Sequence, residues 1–409
     1  MSEISTTPSF EQQYRASLLD LRNAIAEGLI AVGSDPAKPQ DMARDLKVNR
    51  NLTWKLSKLI VARDLEAAFP KVPGPGAIKI LNAALIKAKA PAERIERIKR
   101  TFVAFERMVA LHAGDRPTME LMLDSATLPG AASEPLELSR KLAYQGNSGI
   151  WGCQAKVRVR AIFLAPNAEQ PHMLDHAQIS GFHEMRRFRP DAIWPLFLRT
   201  SFADDGTPLD HSSGGREEMI NFGADTEREG PPLLQRYCSA ELPAIRVDQV
   251  PQGYRYSFGA GPVGNSGKLT LIYGSGTRRF APRYRDEHND WAESFLSINA
   301  PAESLLMDLF IHRDMADEVK LESKLLLGGS EASFLRSSIE FPSPEDIHQL
   351  GAYPPLTGTP LIPRHGELID EIFTHMKWDA GDFVGFRLEI KHPPTPSTAL
   401  LRYRLPERE

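Results

Sequence analysis

The sequence predicts an α+β protein, an N-terminal all-α domain followed by a larger β-rich domain on an antiparallel sheet or sandwich. Three observations carry this. Apolar residues in the first third recur at helical spacing. A small, polar, proline-bearing stretch at 128–135, LPGAASEP, breaks that pattern. Beyond residue 150, polar and apolar residues alternate at period two, as in half-buried strands. The predicted organisation is a helical domain over 8–127, a linker over 128–149, and a β-rich effector or oligomerisation domain over 150–409.

The elements follow in order. Residues 10–30 carry Leu18, Leu19, Leu21, Ile25 and Leu29, the stripe of a first helix. A short helix is predicted over 39–46, with Pro39 fixing φ in its first turn. Met42, Ala43 and Leu46 form its inner face, and Ala43 is small where two helices approach. Lys47 and Val48 make a turn in which Lys47 must accept a left-handed or strained backbone and Val48 plugs the gap. Asn49 suits the N-cap of a second helix, because its side chain can accept a first-turn N–H. Leu52, Leu56 and Leu59 then face inward, leaving Arg50, Asn51, Thr53, Lys55 and Lys58 outside. Residues 39–62 thus read as a helix-turn-helix with a basic, hydrogen-bonding outer face, suited to a DNA major groove. AAFPKVPGPG, after Glu66, forbids a continuous helix and offers no strand pair for a wing. Helices return at 77–90 and 92–112. In the second, Ile95, Ile98, Phe102, Phe105 and Val109 line one face, and Arg94, Arg97, Lys99 and Arg100 another. This helix completes the domain core; a dimerisation helix is the alternative.

Residues 40–59 resemble the helix-turn-helix superfamily of bacterial transcription regulators. Ala43, Val48, Asn49, Arg50 and Leu56 fall on that family's small, plug, cap, basic and core positions. The resemblance implies a DNA-reading module and is confined to this motif. In such a module Asn51, Thr53 and Lys55 would meet base edges and Arg50 and Lys58 phosphates. A homodimer would place two such helices on half-sites about one helical turn apart.

In the β-rich part, strands are predicted at 154–163, 254–258, 268–273 and 386–391. Residues 383–391 and 399–405 flank HPPTPST and predict a hairpin with a rigid loop. Helical insertions are expected at 304–315 and 365–376. GNSG occurs at 146–149 and 264–267, in both cases as turn chemistry.

Hydrophobic content of 42% with 25% charged residues marks a folded protein, not a disordered one. No run approaches the ~18 apolar residues of a membrane helix, so no membrane partner is expected. The first residues lack the pattern of a secretory signal. Cys153 and Cys238 are the two cysteines; they match no metal spacing and fit a reduced, cytoplasmic setting. The net charge of −4 is uneven: residues 1–127 hold 19 Lys and Arg against 15 Asp and Glu, and 38–63 hold seven against two. A basic patch beside an acidic bulk suits a DNA-reading module on an effector domain.

Catalytic signals are weak. Gly259-Ala-Gly-Pro-Val-Gly264 matches the dinucleotide string, but a strand follows where the mechanism needs a helix. Pro262 and Leu269 break a P-loop reading of the same region. His172, His176, His183 and Glu184 could hold zinc, although Pro171 favours a solvated turn. His312 and Asp314 read as a helix end, with the imidazole near the C-terminal dipole. Lys156, Arg158 and Arg160 share one strand face and read as its wet side; Arg186, Arg187 and Arg189 form a second basic cluster. No catalytic residue, metal or cofactor is assigned, and the chain is not expected to be an enzyme. The expected partners are duplex DNA and a small-molecule or protein effector. The alternatives are an enzyme of unrecognised type in the C-terminal domain, and an assembly protein that docks through its helical domain.

Overall fold

The structure, a computed structural model, describes residues 9–126, 133–199, 218–222, 233–250, 253–287, 290–317, 319–328, 339–341 and 345–408. It divides into two units, Met1–Leu136 and Glu137–Glu409. The chain is α+β, helical first and β-rich after.

The helical unit opens with α1 (Phe10–Ile30). Ser9 caps it reciprocally: its hydroxyl accepts the Gln12 N–H at 3.3 Å, and the Gln12 amide oxygen accepts the Ser9 N–H at 3.1 Å. There follow α2 (Pro39–Leu46), α3 (Arg50–Val61), α4 (Pro75–Lys87), α5 (Ala92–His112) and α6 (Arg116–Ala126). The Pro/Gly segment after α3 becomes a single 3-10 turn, Phe69–Lys71, and Pro75 then starts α4, where its missing N–H costs nothing. Leu18, Leu21 and Ile25 of α1 meet Leu56 and Leu59 of α3 and Ile98 and Phe105 of α5 in one fully buried core. Gly28 allows α1 and α5 to touch, since a Cβ there would lie 2.8 Å from Ile98 Cδ1. The apolar face of α5 is therefore spent on this core.

The helix α7 (Ser133–Trp151) occupies most of the stretch that composition assigns to a linker, and the first GNSG lies in its last turns instead of making a turn. Three sheets follow. The largest contains β1 (Cys153–Pro166), β2 (Met173–Arg187), β4 (Glu218–Asn221), β7 (Leu269–Pro282), β9 (Ala302–His312), β11 (Ile347–Ala352) and β12 (Phe383–Lys391), in the order β11-β12-β9-β1-β2-β7-β4. Its central pair, β1 and β9, is parallel and its other pairs antiparallel. A second sheet runs β10 (Glu322–Leu327), β13 (Ser397–Arg404), β8 (Trp291–Ile298), and a third runs β3 (Trp194–Arg199), β6 (Gly253–Phe258), β5 (Ile245–Val250).

Among the described residues, two further helices belong to this unit, α8 (Arg313–Ala316) and α9 (His365–Met376). On one face of the large sheet Val157, Val159, Phe163 and Phe310 pack on Leu368, Ile372 and Phe373 of α9. On the other, Ile162, Leu305, Leu309 and Ile311 meet Leu296, Ile298 and Leu401 of the second sheet. The result is helix on sheet on sheet. The third sheet has its own cluster around Phe182, Trp194, Phe258 and Leu271.

Two further expectations are overturned. Residues 304–315 are not a helix: they form most of β9 and the start of α8. A strand covered on both faces is apolar throughout and shows no period. The segments 383–391 and 399–405 are strands but not a hairpin. β12 pairs with β9 and β11, whereas β13 pairs with β8 and β10, so HPPTPST carries the chain from one sheet to another.

Candidate nucleic-acid interface

The α2–α3 corner is built from local chemistry. Lys47 ends α2 in the left-handed region (φ 55°, ψ 42°), the conformation the turn demands. The Val48 N–H then donates to Ala43 O at 3.2 Å, satisfying an end carbonyl of α2. Asn49 is extended, and its side-chain oxygen accepts the Asn51 N–H at 2.7 Å. Met42 and Leu46 are buried in one cluster with Leu56 and Leu59, with Val48 half-buried beside them, and Ala43 is buried as well.

Of the residues expected on the outer face, Arg50, Asn51 and Lys58 are exposed and Lys55 is half-buried. Thr53 is not on that face: it is 0% exposed. Its hydroxyl donates to Arg50 O at 3.0 Å, so the polar atom is satisfied inside the helix and the methyl packs inward. Leu52, expected inside, is only half-buried. The inward row therefore runs through Thr53, Leu56 and Ser57, and the outward row through Arg50, Asn51, Trp54 and Lys58. Trp54 is 42% exposed, with Lys71 Nζ 5.1 Å from its ring centroid. Among the described residues Arg50, Lys55 and Lys58 make no ion pair. Elsewhere in the unit Glu66 holds Arg15, Glu27 holds Arg94 and Arg97, and Glu106 holds Arg116.

The other sequence candidates separate. His176 and His183 lie on β2, seven residues apart and so on opposite faces, with His172 just before the strand. No group of three potential metal ligands gathers among the described residues. Burial, helped by Arg160, pushes His176 down to about 3, so its ring is neutral. The GAGPVG loop leads into a 3-10 turn, Gly264–Gly267, and then β7. His312 does not sit at a helix C-terminus; it caps the N-terminus of α8, its Nδ1 accepting the Asp314 N–H at 3.3 Å. Arg187 is buried and donates to Ala192 O and Gly259 O, which ties down two loops.

One constellation carries no sequence signal. Asp308 on β9, His365 at the start of α9 and Arg387 on β12 converge from residues far apart in the chain. Arg387 Nε and Nη2 donate to Asp308 Oδ1 and Oδ2 at 2.7 and 2.8 Å, and His365 Nε2 lies 2.7 Å from Oδ2. Arg387 also donates to Thr357 O and Gly358 O. An Asp–His pair suggests acid–base chemistry, but both side chains are 0% exposed and no substrate atom can reach them. The arrangement locks the loop before α9 to the sheet. No protein-family model matches the chain, and no curated protein is detectably similar to it.

Proposed function

We propose that this protein is a DNA-binding transcriptional regulator that reads the major groove with α3, in a cytoplasmic setting and as a homodimer on a two-fold site. The observation that carries the reading is that Arg50 and Lys58 are exposed, Lys55 half-exposed, and none makes an ion pair among the described residues, on a helix held at the end of a left-handed turn. Cations without carboxylate partners are free to neutralise phosphates and release counterions. Asn51, near the helix N-terminus, would pair with an adenine edge, and Lys55, on the flank, would reach guanine. Arg50 and Lys58 would take phosphates. Thr53, being buried, drops out of the reading set; Trp54 takes its place and would offer its ring edge to a thymine methyl. The β-rich unit would sense an effector or hold the dimer.

The test is a pair of salt titrations on a selected duplex and a scrambled one. Asn51→Ala should lose ~1–3 kcal/mol on the selected site and leave non-specific affinity intact. Lys58→Ala should weaken both duplexes alike and flatten the salt slope by about one ion. Absence of binding to any duplex at ~50 mM salt, where phosphate contacts are strongest, would overturn the reading.

A second reading, docking of another protein on α3, draws on the exposure of Trp54, since exposed aromatic anchors are what interfaces use. It predicts that Trp54→Ala abolishes partner capture while the salt-dependent duplex affinity stays absent or unchanged.

A further inference from the structure

One face of the large sheet is divided. On its β9 side it is apolar and covered by the second sheet. On its β2 and β7 side it is polar. The boundary is β8, which among the described residues is the edge strand of the second sheet. Arg158 and Arg160 stand on β1 at this boundary. Arg160 pairs across to Ser180, and Ser180 to Tyr273; Gln178 pairs to Ser275, and His176 to Thr277. A polar shelf thus runs beside the β8 wall, with Arg160, Gln178, Tyr273 and Ser275 each partly open to solvent. Phe280 stacks on His176 at its end, ring centroids 4.4 Å apart.

The cations on this shelf are held by neutral groups. Arg158 is buried; it donates to Ser180 Oγ at 2.9 Å and Gly181 O at 2.8 Å and lies over the Phe182 ring. Arg160 donates to Phe295 O on β8 and to Gln178 Oε1, both at 2.6 Å. Neither has a carboxylate within ion-pair distance among the described residues. Among the described residues, Arg160 Nε and Ser297 Oγ are buried without a hydrogen-bond partner, and the His176 ring makes no hydrogen bond. Loss of water pulls the Arg160 guanidinium down to about 10.

Two like charges side by side, held by neutral oxygens with no carboxylate in ion-pair distance among the described residues, are costly to keep away from water. A strand edge can be blunted by one arginine; a second guanidinium and orphaned donors beside it exceed that need.

We propose that this shelf binds a small oxyanion, a phosphate or carboxylate group, with Arg160 as its principal ligand and Gln178 and His176 as neutral partners. A planar guanidinium suits two-oxygen recognition, and a neutral imidazole can donate to the same group. The site lies wholly within Glu137–Glu409 and stands whether or not α3 reads DNA.

The experiment is calorimetric titration of the full chain with inorganic phosphate and, separately, succinate, against chloride at matched ionic strength. Saturable binding of one anion per chain is expected. Binding of phosphate alone identifies a phosphoryl ligand, and of succinate alone a carboxylate. Arg160→Met should abolish the binding, Gln178→Ala should weaken it about tenfold, and Lys58→Ala should leave it unchanged. If Arg160→Met does not fold, Gln178→Ala and Arg160→Lys carry the test, the lysine losing the fork but keeping the charge. No saturable binding of either anion, or binding equal in wild type, Gln178→Ala and the Arg160 variants, overturns the site. Loss in Lys58→Ala alone would also overturn it, by placing the anion on the helical unit.

Discussion

Asp308 is held ionised although its side chain is fully buried. Burial alone would raise its pKa, but hydrogen bonds from Arg387 and His365 outweigh that and lower it. Removing the carboxylate leaves Arg387 buried and unpaired, so Asp308→Ala should cost about 3–5 kcal/mol in urea unfolding at pH 7. A depressed folded pKa makes this contribution complete above the unfolded value of about 4. It is lost as pH falls below that value through the folded one. The gap between wild type and Asp308→Ala should therefore be constant from pH 7 to ~5 and narrow below pH 4. An unchanged gap at pH 3 would mean that the carboxylate is not what Arg387 needs. None of this was legible in the sequence, because residues 308, 365 and 387 meet only through sheet register and the start of a helix. Thr53 failed for a more local reason. Its hydroxyl marks it as polar, yet a helical threonine can bond to its own preceding turn and turn a methyl inward. Arg158 and Arg160 failed likewise: alternation along β1 placed them on one face, but only the second sheet decides which part of that face is dry.

At the scale of elements, the corner between α2 and α3 was legible because each of its steps is chemistry between near neighbours. Pro39 opens a helix, Asn49 caps the next, and Ala43 leaves room between them. Lys47 takes the left-handed backbone that glycine adopts without strain. Lys47→Gly should accordingly stabilise the helical unit by about 1 kcal/mol, read as a rise in its thermal midpoint. Ala43→Glu should instead cost roughly 2–3 kcal/mol, because its carboxylate would sit unpaired where the helices meet. Full retention of stability in that variant would mean that the two helices do not pack through residue 43. The β elements were less legible. β1, β6 and β7 alternate or carry β-branched runs and were found. β9 is buried on both faces, so its period vanished and its length suggested a helix. β12 and β13 were found as strands and mispaired, since two adjacent strands usually form a hairpin and nothing in HPPTPST says that the chain changes sheet.

At the scale of the molecule, the helical and β-rich units each bury a core of their own. Leu21, Leu56 and Phe105 close one, and Phe163, Phe310 and Leu401 belong to layers of the other. The charge is divided as well, positive over the first 127 residues and negative beyond. Cores of this kind fold independently when the chain is cut between them. A fragment of residues 133–409, which keeps α7 whole, should show mainly β circular dichroism. A fragment of residues 9–126 should be helical and melt cooperatively. Phosphate contacts belong to the charges that make them. If α3 reads DNA, the helical fragment should show the same salt slope of non-specific duplex binding as the full chain. Specific affinity should drop in the fragment if the β-rich unit holds two copies together, because each half-site would then be bound alone. A folded 9–126 fragment with no duplex affinity, beside a 133–409 fragment that retains it, would transfer the reading surface to the β-rich unit and remove α3 from the mechanism.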